Sequence, residues 1–228
     1  MSLVAALVGP GRMGSAVAEV WRERGHRIAL EIGRGDDLAA AGEAGVDVAF
    51  EFSLPEAAAA NVGRLLDLGV PTVCGTTGWD PEPVRRRAAE AGVPLLVAPN
   101  FSLGVAILRA AVAEAARRLA AAPELSPGIV ERHHAKKLDS PSGTAKMLAA
   151  VVAEAVGTEP AVVALRHGGQ PGEHRVIFEG ADEEVELLHR ARSRRAFALG
   201  AALAGEWLAA ERPPGPVSFD DFLERSRR

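Results

Sequence analysis

Tyrosine is missing from this 228-residue chain, cysteine occurs once, and lysine is confined to positions 136, 137 and 146. Each shortage removes a class of function. An aromatic content of 4% with a net charge of -4 supplies neither a stacking platform nor a basic groove, which excludes nucleic acid as the expected partner. A single cysteine, Cys74, cannot close an internal disulfide, and with no His or Asp beside it in sequence it reads as a buried structural thiol. No apolar run reaches membrane-spanning length, and the N-terminus enters a strand-like pattern with no export signal, so no membrane partner and a cytoplasmic location are expected. A hydrophobic content of 48% is enough to bury a full core, as one large domain or two modest ones.

What the chain does contain begins with an apolar run, 3–8, followed by Gly9-Pro10-Gly11-Arg12-Met13-Gly14 and then by Ala16, Val17, Val20 and Trp21 at helical spacing. Strand, glycine turn and helix in that order allow a tight turn and present unpaired N–H groups to a pyrophosphate. A second strand is expected over 27–32, ending in Gly33-Arg34-Gly35-Asp36. An acidic side chain here suits the ribose hydroxyls of NADH, whereas a small residue followed by arginine accepts a 2′-phosphate, so Arg34 leans toward NADPH while Glu31 or Asp36 could still serve the ribose. Further strands are expected at 46–52, 72–74 and 95–98, alternating with helices at 56–68 and 82–91. Such alternation predicts parallel strands with ligands gathered beyond their C-terminal ends. There lie Gly75-Thr76-Thr77-Gly78 and Ala98-Pro99-Asn100-Phe101, turn-like sequences that offer small hydroxyls, an amide and open backbone to a cofactor.

The second half differs. A long helix over 104–122, ended near Pro123, leads to a strand at 128–131, then a helix at 145–156, strands at 162–165, 175–178 and 185–189, and a closing helix at 195–210. Short turns between strands predict a mostly antiparallel open sheet. The expected fold is therefore α/β: a Rossmann-like parallel-sheet domain for dinucleotide binding, 1–103 with 195–228, and a smaller α+β domain with a mixed open sheet for substrate binding and oligomerisation, 104–194. A sheet with one open face often pairs with itself, so a homo-oligomer is expected.

The segment Glu131-Arg-His133-His134-Ala-Lys136-Lys137-Leu-Asp139-Ser-Pro141-Ser142-Gly143-Thr144-Ala145 carries the chemistry. In a chain that otherwise uses arginine, its lysines supply a compact charge and a transferable proton. Adjacent histidines on a strand face opposite sides. Asp139 to Thr144 reads as a cap, a proline at an early helical position and a small-residue first turn, and such a helix start binds carboxylates. The set suits a small dianionic substrate. A zinc site is not expected, because the paired histidines and lone cysteine do not make three or four ligands.

Together with Pro99–Ser102 and the Ser193–Ala201 stretch, these motifs resemble the dihydrodipicolinate reductase family nearly end to end. The resemblance implies an NAD(P)H-dependent reduction in the diaminopimelate and lysine pathway by a homotetramer built through the C-terminal sheets. It implies His133 as proton donor or acceptor, Lys137 as proton donor, and His134, Gly143 and Thr144 as substrate contacts, with Gly9–Met13, Gly75–Thr77 and Ala98–Phe101 holding the cofactor. One substrate carboxylate is expected at Ser142–Thr144 and the other near His134 and the lysines. The acidic position common after the second strand falls on Gly33. A binding protein that keeps the glycine turn without catalysis, or another two-domain oxidoreductase, would be the rival reading.

Overall fold

Val4–Val8 forms strand β1, and Gly9 turns the chain with a φ of 87°, a left-handed conformation that L side chains rarely adopt. Helix α1, Arg12–Glu23, follows and buries Val17, Val20 and Trp21, the apolar stripe seen in the sequence. The chain continues through β2 (Arg27–Ile32), α2 (Ala39–Glu43), β3 (Val48–Glu51), α3 (Pro55–Asp67), β4 (Thr72–Cys74), α4 (Glu82–Ala91) and β5 (Leu95–Val97). Strand β3 starts two residues later than expected because the Asp47 carboxylate accepts from Val4 N–H at 2.8 Å, ending the preceding loop there. The five-residue α2 is too short to show a helical period and was not anticipated.

The computed structural model describes residues 1–119, 121 and 124–226. By internal contacts the chain forms two units, Met1–Phe101 joined by residues from Phe197 onward, and Ser102–Ala196.

The second unit comprises α5 (Leu103–Leu119), β6 (Ser126–His133), α6 (Gly143–Val156), β7 (Ala161–Arg166), β8 (Gly172–Glu179) and β9 (Glu184–Ala191). Ala122 and Pro123, where the first long helix was expected to end, lie outside the described residues. The sheet runs β7-β6-β8-β9; β6 and β7 are parallel and joined through α6, while β8 pairs antiparallel with both β6 and β9. Leu108 and Val112 of α5 and Leu148 and Val152 of α6 pack on Ile129, Val176 and Phe178 of the sheet. Val130, Val163, Leu165 and Leu188 remain exposed.

Helix α7 (Arg195–Glu211) carries the chain into the first unit, where β10 (Pro216–Val217) and α8 (Phe219–Arg225) complete it. Its glycines permit close packing: a Cβ on Gly200 would sit 1.9 Å from the Phe101 carbonyl oxygen, and one on Gly205 would sit 2.5 Å from the Phe50 ring. The six-stranded sheet has the order β10-β5-β4-β3-β1-β2 with every pair parallel. Strand order reverses at β1, so the crevice between the ends of β1 and β3 is the topological switch point where a ligand is expected. The fold is α/β, a Rossmann-like sheet accompanied by a mixed one.

Candidate active site

In the first unit, a cleft of about 490 Å³ opens at that switch point, lined by Gly9, Pro10 and Gly11 after β1, by Gly33, Arg34 and Asp36 after β2, and by Phe52, Ser53 and Asn61 after β3 and on α3. The glycines are fitted to it in different ways. A Cβ on Gly9 would strike the Phe52 carbonyl at 2.6 Å and one on Gly14 the Gly9 carbonyl at 2.2 Å, whereas Gly11 has nothing within 4 Å. Gly9 and Gly14 thus hold strand and helix together, while Gly11 leaves the start of α1 open. No side chain caps α1, so its first N–H groups remain for an anion, and the residues fit the pyrophosphate of a dinucleotide. Arg12 is exposed and Met13 half-buried in the same first turn.

The other cofactor candidates are placed less uniformly. Thr77 and Pro99 are exposed, Gly75 and Asn100 half-buried and Ala98 buried. A Cβ on Gly75 would lie 2.1 Å from the Phe52 ring, so glycine there lets Phe52 pack. Two expectations need correction. The Thr76 hydroxyl, expected to face a ligand, turns inward and donates to Glu51 at 2.6 Å. The Phe101 side chain, 3% exposed, packs edge-on against Phe219 at 5.3 Å and belongs to the core; only its backbone is left for a ligand. Both follow from side-chain direction, which turn composition does not reveal. Glu51, fully buried, had no expected role, yet it accepts hydrogen bonds from Ser53, Asn61, Cys74 and Thr76 and so ties the loops after β3 and β4 to α3. Beside that carboxylate, burial pushes the Cys74 thiol far above its usual range, which leaves it inert.

In the second unit, His133 ends β6 buried, and His134 turns the other way, half-buried, with its N–H donated to the Gln170 carbonyl at 2.8 Å. His134 Nδ1 is buried without a partner among the described residues, as a ligand-facing acceptor or donor would be. Lys137 Nζ pairs with Asp139 Oδ1 at 2.7 Å. The helix start differs from expectation in one respect. Pro141 and Asp139 precede the helix, and the cap is Ser142, whose Oγ accepts from Ala145 N–H at 3.2 Å, because its extended backbone (φ -64°, ψ 157°) aims the hydroxyl at the first turn. Gly143 is exposed, and Thr144 half-buried, at the N-terminus of α6.

Three residues complete this cluster: Glu131, which opens the segment but had no expected role, and Arg166 and His174, which the sequence did not single out. Glu131, two positions before His133 and so on the same face of β6, contacts His133 Nδ1 through Oε2, while its Oε1 accepts from Ser142 N–H at 3.1 Å and Arg166 Nη2 at 2.6 Å. Arg166 arrives because it is the register partner of His133 across β6 and β7. His174, the register partner of Glu131 across β6 and β8, brings Nε2 within 3.2 Å of Ser142 Oγ and its ring edge-on to His133 at 5.1 Å. Burial would raise the Glu131 carboxyl, but hydrogen bonds from Arg166, Ser142 and His133 outweigh it and hold the group below the usual range. Burial lowers His133, opposed by Glu131 and reinforced by Lys137 and Arg166. Burial and the neighbouring His133 push His174 down to about 4. Glu131, His133 and His174 place donor atoms within 4.8 Å of one another, a grouping that a count of adjacent ligands overlooks. The Arg166 guanidinium and the direct Glu131–His133 contact use the carboxylate oxygens and oppose a cation there.

A parallel sheet with a glycine-lined switch-point cleft, followed in the chain by a mixed sheet bearing imidazoles and a serine-capped helix start, defines a two-unit dinucleotide-dependent enzyme as the class. The comparisons narrow it. The family model for the N-terminus of dihydrodipicolinate reductase matches residues 4–101 and that for its C-terminus matches 104–223, so the chain belongs to the dihydrodipicolinate reductase family. It is 39% identical to the 4-hydroxy-tetrahydrodipicolinate reductase of Archaeoglobus fulgidus, covering 97% of this chain and 99% of that one, and 38% identical to that of Acidiphilium cryptum, covering 93% and 94%. Among solved structures it resembles a dipicolinate-bound dihydrodipicolinate reductase from Paenisporosarcina sp. TG-14, with a TM-score of 0.80 at 20% identity over 96% of this chain and 98% of that one.

Proposed function

We propose that this protein reduces 4-hydroxy-tetrahydrodipicolinate, or the dihydrodipicolinate derived from it, to tetrahydrodipicolinate, with NADPH or NADH as reductant, in the diaminopimelate route to lysine. The observation that carries this reading is the convergence of buried His133, the Ser142-capped helix start and the Lys137 segment in a chain that belongs to the family.

When bound, the nicotinamide supplies a hydride to an unsaturated carbon conjugated with the ring imine. The chain's own residues handle charge and protons. The positive end of α6, at Gly143 and Thr144, receives one carboxylate, which takes the place of the Asp139 carboxylate that Gly143 N–H meets. His134 Nδ1, unpartnered among the described residues, and Lys137 receive the other end of the ring. His133, held neutral by burial, takes up a proton as the dianion approaches, because an opposite charge favours imidazolium, and returns it to the reduced ring. Lys137 leaves its pairing with Asp139 and, as proton donor, resupplies His133, so that one proton enters the ring for each hydride.

Both cofactors are accommodated, with a lean to NADPH. Glu31 is held by Arg22 at 2.6 Å, and the cleft lining includes Arg34 for a 2′-phosphate and Asp36 for ribose hydroxyls. The exposed row Val130, Val163, Leu165 and Leu188 on the second sheet supports assembly as a homo-oligomer, in this reading a tetramer. No helix of the described residues is long and apolar enough to cross a membrane; a cytoplasmic location belongs to the proposed biosynthetic role. The test is oxidation of each nicotinamide cofactor, followed by its absorbance, with freshly generated dihydrodipicolinate. Turnover with that substrate and none with sugar or simple amino-acid derivatives is expected; cofactor binding without oxidation would refute the proposal.

A further inference from the structure

We infer that Glu131 is a positioning residue for this site: by accepting the Nδ1 proton of His133 it makes Nε2 the reacting nitrogen, and through Arg166 it holds the Lys137-bearing segment. The inference rests on the function proposed above.

Both residues lie on one face of β6, and Glu131 is fully buried. A buried carboxylate accepts and does not donate, so the Nδ1 that it touches carries the proton. The other imidazole nitrogen is left bare in the neutral ring. It points past Gly172, where a Cβ would stand only 3.1 Å from Nε2, and glycine keeps that nitrogen uncovered. When His133 is protonated, Nε2–H gives up its proton to the reduced ring, Nδ1–H stays on the imidazole, and Glu131 remains a carboxylate throughout. One proton enters the ring, and the bonding pair of the broken Nε2–H bond stays on the imidazole.

The same carboxylate reaches further. Its Oε1 takes the Ser142 N–H, fixing the residue that caps α6, and the Arg166 guanidinium, whose Nη2 also donates to the Asp139 carbonyl at 2.6 Å. Asp139 in turn holds Lys137. One side chain therefore sets the geometry of the imidazole, the carboxylate-binding helix start and the segment that carries the ammonium. A single carboxylate bridging all three explains why an acid is buried where an apolar side chain would pack at lower cost. The charged and titratable groups that face His133 are Glu131 on its own strand, Arg166 on β7, His174 on β8 and Lys137 on the connecting segment.

The experiment has two arms. In wild-type protein, nitrogen-15 NMR of the histidine rings, with His133 assigned by His133→Gln, is expected to show the Nδ1–H form; the Nε2–H form would overturn the inference whether or not the protein turns over the proposed substrate. In Glu131→Gln, the amide cannot support imidazolium, and kcat is expected to fall by about tenfold or more while the cofactor Kd is unchanged. The imidazole limb of the kcat/KM pH profile should also move to lower pH, because the group that raises the pKa of His133 has lost its charge. Unchanged kcat, or a fall in kcat with the limb unmoved, would overturn the inference, since loss of packing alone leaves the limb in place. If the variant does not fold, the wild-type tautomer decides.

Discussion

The two units each bury one glutamate completely, and the two are used in opposite ways. Glu51 takes its hydrogen bonds from Ser53, Asn61, Cys74 and Thr76, neutral groups that belong to the end of β4, to the loops after β3 and β4 and to α3. Glu131 is bound to Arg166 and His133, groups that carry or acquire charge. A carboxylate among neutral donors fixes shape, because each donor must come to it. A carboxylate between a guanidinium and an imidazole sets protonation, because its charge biases a neighbour's equilibrium. The first unit thus shapes its cleft with backbone held in place, and the second gathers a cluster of charged and titratable side chains.

The contrast is sharpest at the reacting end. His133→Ala or Lys137→Ala is expected to lower kcat by about two to four orders of magnitude with cofactor affinity retained, measured by steady-state kinetics and cofactor titration. Unchanged turnover removes the substituted residue from the chemistry. Glu51→Ala is expected to cost about 3 kcal/mol of folding stability in denaturant titrations, since several buried donors lose their acceptor together. A stable Glu51→Ala protein would break the comparison by showing that the loops stand without it.

Acid should act on the second unit through His174. Its folded pKa of about 4 lies below the ordinary imidazole value of about 6.5, so between those limits the unfolded chain binds the additional proton. The stability in question is fully present above about pH 6.5, is lost as pH falls, and is lost no further below about pH 4, for a total of about 3 kcal/mol. His174→Asn, whose amide can donate to or accept from the Ser142 hydroxyl, should flatten that slope in denaturation measured across the interval. The smallest effect belongs to the exposed cleft rim: Arg34→Ala should weaken NADPH by about tenfold and leave NADH nearly unchanged, checked by competitive titration.

The parts legible in sequence were those whose residues are neighbours in the chain. Gly9, Gly11 and Gly14 lie within six positions, and Gly9 and Gly14 each meet a close approach of backbone that only glycine allows. His133, His134, Lys137 and Ser142 to Thr144 likewise form one segment. Arg166 and His174 were invisible because strand register alone delivers them, across β7 and β8. Thr76 and Phe101 were misread for a related reason: a turn's composition does not say which side chains point inward. The start of α6 was misplaced because Pro141 suggests a first helical position, while the hydroxyl that meets the free N–H belongs to Ser142. The final helix was missed although Ser218 and Asp221 form a capping box at its start, a signal present in the sequence.

One hydrogen bond has a practical consequence. Of the chain's three indoles, Trp21 and Trp207 are sealed in the core at 0% and 9% exposure, whereas half-buried Trp79 donates from Nε1 to the Thr76 carbonyl at 2.8 Å. With no phenol in the chain to share the ultraviolet absorption, the indole fastened to the Gly75–Gly78 turn makes the protein's own emission sensitive to the conformation of that turn.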